Sequence, residues 1–209
     1  MIKVGLIDYD AGNLGSLEFI IKAMGYDVIS SKYPHDLIKC DKLILPGVGS
    51  FYSASETLFS RGWDKLIHFH VEERKSSLLG ICLGMQLLAD EGVEGNNLEA
   101  VKGLSLISGK VVRMNRLQDY RIPHVGWNEV SILNQNNGLF KDVEDNTDFY
   151  FAHSYHFIPN RASDIAGYTK HGINFVSAVA KNSIYGVQFH PEKSLSYGKA
   201  VIRNFLELD

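Results

Sequence analysis

The strongest constraint on how this chain can fold is a repeated change of hydrophobic period in its N-terminal half. Val4, Leu6 and Ile7 form an apolar run that stops at Asp8, and Leu14, Leu17, Ile21 and Met24 then recur every three to four residues. The first pattern is that of a buried strand and the second that of an amphipathic helix. The alternation returns with Asp27 to Ser30 as a strand, KLILPGVGSF as a strand running into a glycine loop, and helical stretches from about Tyr52 to Arg74. SSLLGI then reads as a strand that runs into a helix from Leu83. Apolar strands alternating with helices predict a parallel sheet covered on both faces.

Beyond about Gly103 the texture changes. LSLISGKVVRM, WNEVSIL, DFYFAHSYHF, SDIAGYTK and NFVSAVA are short alternating segments separated by Asn, Gly and Asp, and they predict antiparallel strands and hairpins. IYGVQF closes the series as a strand, and a helix is expected from about Tyr197, with Val201, Phe205 and Leu208 on one face. Without a linker, repeat or low-complexity tract, residues 1–209 are expected to form one domain. A net charge of −3 with no basic run argues against nucleic acid or an anionic membrane as the main partner. No segment reaches the ~18 uninterrupted apolar residues of a membrane helix. The N-terminus meets an acid after seven residues and reads as a strand rather than a signal peptide. Two cysteines, Cys40 and Cys82, do not make a disulfide scaffold in a chain of this size, and a reducing, cytoplasmic setting is expected.

Chemistry concentrates at three strand ends. In LLGICLGMQLL, Cys82 lies between a buried strand and a helix start, framed by Gly80 and Gly84. G-x-C-x-G copies, with sulfur for oxygen, the elbow of G-x-S-x-G hydrolases, whose glycines let strand and helix touch. A thiol at a helix N-terminus is favoured as thiolate. The motif alone suits a core cysteine equally well, because free cysteine is among the most buried residue types. The second signal is GVQFHPEKS, where a strand delivers His190 and Pro191 fixes the backbone before Glu192. A base for the thiol and a carboxylate to orient the base are what nucleophilic catalysis by cysteine needs. Open α/β sheets place their sites at the carboxyl ends of strands, where both motifs fall. The third is LPGVGSF, whose Gly47 and Gly49 free backbone N–H groups to face the site, so that with the N–H of Leu83 they form an oxyanion hole. Tyr52 stands where a dinucleotide fingerprint needs its third glycine, so a nucleotide loop is not expected there.

PGVGSF, GICLGMQLL and GVQFHPEKS together resemble the class I (triad-type) glutamine amidotransferases, in order and spacing, over essentially the whole chain. IDYDAGN, IPHVGWN and FYFAHSYHF look like the glutaminase subunit of imidazole glycerol phosphate synthase. The resemblance implies an α/β, three-layer, flavodoxin-like fold with a mixed, mostly parallel central sheet and an antiparallel extension. It implies that Cys82, His190 and Glu192 hydrolyse L-glutamine through a glutamyl thioester, without a cofactor. It further implies that Gly47, Val48, Gly49, Leu83, Gln86, His153, Ser154 and Tyr155 hold the glutamine or its oxyanion. Ammonia would pass to a barrel-shaped synthase (cyclase) subunit in a heterodimer, with Asn13, His124 and Trp127 lying toward that partner.

Two residues depart from the family pattern. Asp10 stands where glycine is usual, and Leu195 follows EKS where a polar residue is common. They leave open a paralogous glutaminase that feeds a surface-sugar amidotransferase, and a free-standing cysteine hydrolase of the same fold is the other alternative. His68 and His70, two apart, point to different sides of a helix, and no metal site is expected from them. Cys40 reads as a buried structural thiol.

Overall fold

The computed structural model describes residues 2–95, 99–115, 120–133 and 138–208. The N-terminal half runs β1 (Lys3–Ile7), α1 (Leu14–Ala23), β2 (Asp27–Ser31), α2 (Pro34–Leu37), β3 (Lys42–Leu45), α3 (Phe51–Ser60), α4 (Trp63–His68), β4 (Ser77–Ile81) and α5 (Leu83–Gln86). It continues through β5 (Glu91–Gly92), β6 (Val101–Lys102), β7 (Gly109–Arg113), β8 (His124–Ile132), β9 (Thr147–His153) and β10 (Tyr155–Pro159). The chain ends with β11 (Ile165–His171), β12 (Ile173–Lys181), β13 (Ile184–Val187) and α6 (Leu195–Glu207).

The central sheet has nine strands in the order β2-β1-β3-β4-β13-β12-β11-β8-β9. From β2 to β13 neighbouring strands are parallel, and from β13 to β9 they are antiparallel. The parallel half is the expected βα series, and the hairpins of the second half extend it from β13 onward. A second, four-stranded sheet, β10-β7-β5-β6, lies apart from the nine. Period-two alternation sorts the strand residues between two cores: Ile44, Leu79 and Ile81 face Leu17 and Ile21 of α1 and Val201 and Phe205 of α6. Leu43, Leu45 and Leu78 face Leu58 of α3 and Trp63, Leu66 and Ile67 of α4. Burying these rows on both faces contributes the dominant apolar term, roughly 25 cal/mol per Å².

The helical stretches expected over 52–74 part at Gly62, whose φ of +74° fits glycine; α4 starts after it and winds into a π-helical turn over Phe69–Glu73. Two local outcomes differ from the sequence pattern. The helix after Cys82 is a single turn. The carbonyls of Leu87, Leu88 and Ala89, which a longer helix would turn inward, accept instead from the N–H groups of Leu104, Leu106 and Ser105. That pairing also explains why residues 104–108 are not a strand and β7 begins only at Gly109. Finally, α6 begins at Leu195, two residues earlier than the apolar face suggests.

Candidate active site

β4 and β13 are adjacent parallel strands with Gly80 beside Gly186 and Ile81 beside Val187. Cys82 is the next residue on one strand and Gln188 the next on the other, so the nucleophile candidate and the GVQFHPE segment leave the sheet together at its carboxyl edge. Cys82 has φ +54° and ψ −109°, a region that costs a non-glycine residue roughly 1–3 kcal/mol. The turn is held by Cys82 N–H donating to Val187 O at 2.8 Å and by Gln86 N–H donating to Cys82 O at 3.2 Å. Both framing glycines are sterically required. A Cβ on Gly84 would lie 1.7 Å from the backbone oxygen of Leu45, and one on Gly80 would lie 2.7 Å from the backbone of Gly84.

His190 and Glu192 are both almost fully buried, with His190 Nδ1 2.9 Å from Glu192 Oε1. A 3₁₀ turn over Pro191–Lys193 folds the carboxylate back onto the ring two residues before it. The turn is pinned to β9: His190 N–H donates to Tyr150 O, and the Ser194 hydroxyl donates to His190 O and accepts from Tyr150 N–H. Burial by itself would lower the His190 pKa, but its hydrogen bonds to Cys82 and Glu192 outweigh that and raise it to about 10. The ring is therefore an imidazolium at neutral pH, set between the sulfur and the Glu192 side chain.

The sulfur opens into a cavity of about 180 Å³, below the ~300 Å³ at which drug-sized pockets begin; a ligand of amino-acid size suits it. Val48, Gly49, Leu83, Gln86, His153, Ser154 and Tyr155 line it with Cys82, while Gly47 packs behind, where a Cβ would strike the Tyr9 hydroxyl. The backbone donors do not face the cavity freely. Leu83 N–H donates to Gly47 O and Val48 N–H to Ala11 O, each at 3.3 Å, so one of these donors is engaged by the glycine loop and the other by the loop after β1.

Sequence reasoning missed four residues here. Glu94, Pro123 and Ala152 also line the cavity; burial raises the Glu94 pKa, against a backbone hydrogen bond from Phe51 that lowers it. No pattern in the sequence marks Glu94. Gln188 stands beside Cys82 and is fully buried, with its Nε2 3.6 Å from the sulfur. Its signal was legible as one polar residue inside the apolar run GVQF.

The residues expected to face a partner divide. Asn13 is exposed at the start of α1, where its side chain donates to Ser16 Oγ. Trp127 is 49% exposed, edge-on to Tyr150. His124 is not at the surface: it is 3% exposed, stacked between Phe151 and His171, with Nδ1 3.0 Å from His153 Nε2. The reason is strand geometry. His124 and Trp127 are three apart on β8, so their side chains lie on opposite faces of the sheet. Burial lowers the pKa of His153 to about 3 and that of His124 to about 4, so both rings are neutral at physiological pH.

Among the described residues no group of three or more His, Cys, Asp or Glu is placed to hold a metal ion, and no helix is long and apolar enough to cross a membrane. Cys40 and Cys82 are both free and buried.

Comparison with known proteins agrees with this geometry. The chain is 41% identical over 204 residues to "Imidazole glycerol phosphate synthase subunit HisH 2" of Methanococcus maripaludis, covering 98% of each chain. It is 40% identical over 205 residues to "Imidazole glycerol phosphate synthase subunit HisH 1" of Campylobacter jejuni, covering 98% of this chain and all of that one. The crystal structure of a glutamine amidotransferase from Thermotoga maritima shares the fold, with a TM-score of 0.68 at 19% identity over 98% of this chain and 82% of that one. The family model "Glutamine amidotransferase class-I" matches residues 6–208, and with a cysteine elbow, a buried histidine–glutamate pair and a glycine loop around one small cavity, this chain belongs to that family.

Proposed function

We propose that this chain is the glutaminase subunit of an imidazole glycerol phosphate synthase, with residues 1–209 acting as one amidotransferase domain. The observation that carries the reading is the meeting of Cys82 with the His190–Glu192 pair at the ends of two adjacent parallel strands, opening into a cavity of amino-acid size. Full-length relatives about 40% identical, named as HisH subunits, supply the pathway.

In this reading the Cys82 sulfur attacks the side-chain amide carbon of L-glutamine, and the imidazolium of His190 gives its proton to the departing ammonia. Glu192 holds the ring in one orientation throughout. Water then adds to the glutamyl thioester, its proton goes to His190, and the C–S bond breaks to release glutamate. Glu94, the carboxylate in the cavity, pairs with the substrate's α-amino group. The tetrahedral oxygen needs N–H donors, and those of Leu83 and Val48 become available only when Gly47 O and Ala11 O release them. That requirement favours a glutaminase switched on by a partner over a free-standing hydrolase, whose donors would be in place.

The partner surface follows from the exposed apolar side chains beside the HPEKS turn. Val125 and Trp127 on the outer face of β8, with Leu195 and Tyr197 at the start of α6, are all exposed, and Trp127, Leu195 and Tyr197 border one groove. The synthase subunit docks here, next to the residues that generate ammonia. The test is glutamate release by the chain alone and with its co-purifying synthase, together with mass analysis of Cys82 after exposure to a diazo-ketone glutamine analogue. A Cys82 adduct and partner-stimulated turnover are expected. Glutamine hydrolysis by an intact Cys82→Ala protein would overturn the mechanism, and an unstimulated high rate would favour the free-standing hydrolase.

A further inference from the structure

Outside the triad the sulfur of Cys82 has two polar neighbours, the Ala152 carbonyl at 4.0 Å and the side-chain amide of Gln188. Gln188 is fully buried, its backbone N–H is spent on Ser177 O, and its side-chain amide lies 3.6 Å from the sulfur. Which end of that amide faces the sulfur is fixed by its neighbours. Tyr155 O can only accept, so the Gln86 group 2.9 Å away from it is the donating NH₂. The same NH₂ lies 3.0 Å from Gln188, so Gln188 must present its oxygen there. The Gln188 NH₂ is thereby turned to the sulfur. His153 Nδ1, 2.8 Å from the same Tyr155 O, is held to its N–H tautomer and secures the carbonyl from the other side.

We propose that Gln188 is a catalytic residue of the glutaminase reaction, donating a hydrogen bond to the Cys82 sulfur that stabilises the thiolate, and that Gln86 is the positioning residue that aims it. The proposal rests on the glutaminase reading above. A donor to the charged form of a buried group favours that form. Before attack the bond holds the thiolate toward the cavity. When the thioester breaks down, the electron pair of the C–S bond returns to sulfur, and the Gln188 N–H meets the charge that reappears. The ionisable groups around the sulfur are His190, backed by Glu192, and the buried Tyr9 phenol, with His153 and Glu94 lining the same cavity. Gln188, delivered by the adjacent strand, adds an uncharged donor to this set.

The test is the pH dependence of iodoacetamide alkylation of Cys82 in the full-length chain, read by peptide mass spectrometry so that Cys40 is counted separately. In Gln188→Met the midpoint should rise by about one pH unit, lowering the rate below the midpoint about tenfold, while the limiting rate at high pH stays within about twofold. Gln188→Glu keeps the shape and the acceptor for Gln86 but puts a carboxylate at the sulfur, so its midpoint should rise as well. Gln86→Leu, which frees the amide to turn, should give a smaller rise. A residue that only filled space would change the melting temperature and leave the midpoint fixed. Unmoved midpoints in folded Gln188→Met or Gln188→Glu overturn the proposal, and if neither folds, an unmoved midpoint in Gln86→Leu does so. Wild-type protein that fails to hydrolyse glutamine even with its co-purifying synthase would overturn the glutaminase reading instead, and the alkylation midpoints would still decide this one.

Discussion

Replacing Glu192 by Gln isolates what the buried carboxylate does, because the side chain keeps its shape and an oxygen that can face His190 Nδ1, 2.9 Å away, while losing its charge. A hydrogen bond between ionised groups at this depth is worth about 1.5–3 kcal/mol. At 1.36 kcal/mol per unit, its loss lowers the His190 pKa from about 10 by about one to two units. The same energy taken from the transition state lowers kcat for glutamine hydrolysis about tenfold to a hundredfold. The stability effect has a defined sign. His190 is raised above its unfolded value near 6.5, so its contribution is complete below about pH 6.5 and is lost as pH rises through about 10. The melting-temperature difference between wild type and Glu192→Gln should therefore be largest near pH 6 and shrink toward pH 10. Glutamate release measures kcat, and ring ¹⁵N shifts of His190 followed from pH 6 to 11 measure the titration. Unchanged kcat together with an unchanged His190 midpoint would refute the claim that Glu192 sets the charge and orientation of the ring.

Gly84→Ala places a methyl group 1.7 Å from the Leu45 carbonyl, a backbone atom that cannot swing aside; a loss of about 3 kcal/mol, or roughly 6–12 °C in melting temperature, is expected by calorimetry. Glu94→Gln removes the cavity's carboxylate and should raise KM for glutamine about tenfold with kcat within about twofold. Equal KM values would remove Glu94 from substrate recognition. Trp127→Asp should abolish capture of the synthase partner in a pull-down while leaving Cys82 alkylation by iodoacetamide unchanged, and retained capture would move the docking surface elsewhere.

What was legible in the sequence, and what was not, divides along a physical line. The βα alternation, the elbow and the HPE turn depend on residues close in sequence, and β4 and β13 carry their motifs to one edge because parallel strands share a direction. The length of the helix after Cys82 could not be read, because it ends where residues 104–107 claim its carbonyls, a pairing between distant segments with no local signature. Glu94 is likewise brought to the cavity by tertiary contact, its carbonyl accepting from Tyr52 N–H. His124 was different: the period of two in HVGWN already forbids His124 and Trp127 from facing one surface, and applying the strand rule to that segment places the histidine inside.

The two departures from the family pattern share a backbone property. Asp10 has φ +66° and Leu195 φ +52°, both in the left-handed region that glycine enters most easily. This explains why glycine is usual at the first position: only the conformation is required there, and aspartate enters it more readily than most residues. What aspartate adds is a carboxylate paired with both Lys32 and Arg61, which ties the loop after β1 to the chain following β2 and to the end of α3. Ala11, the next residue, is the one whose carbonyl holds the Val48 N–H away from the cavity. Among the described residues no ion pair or side-chain hydrogen bond compensates Leu195. A branched apolar side chain in the left-handed region, 71% exposed and bordering the groove with Trp127 and Tyr197, would gain apolar burial at the docking surface proposed above. Its position beside the Glu192 turn makes a docked partner the natural source of that burial.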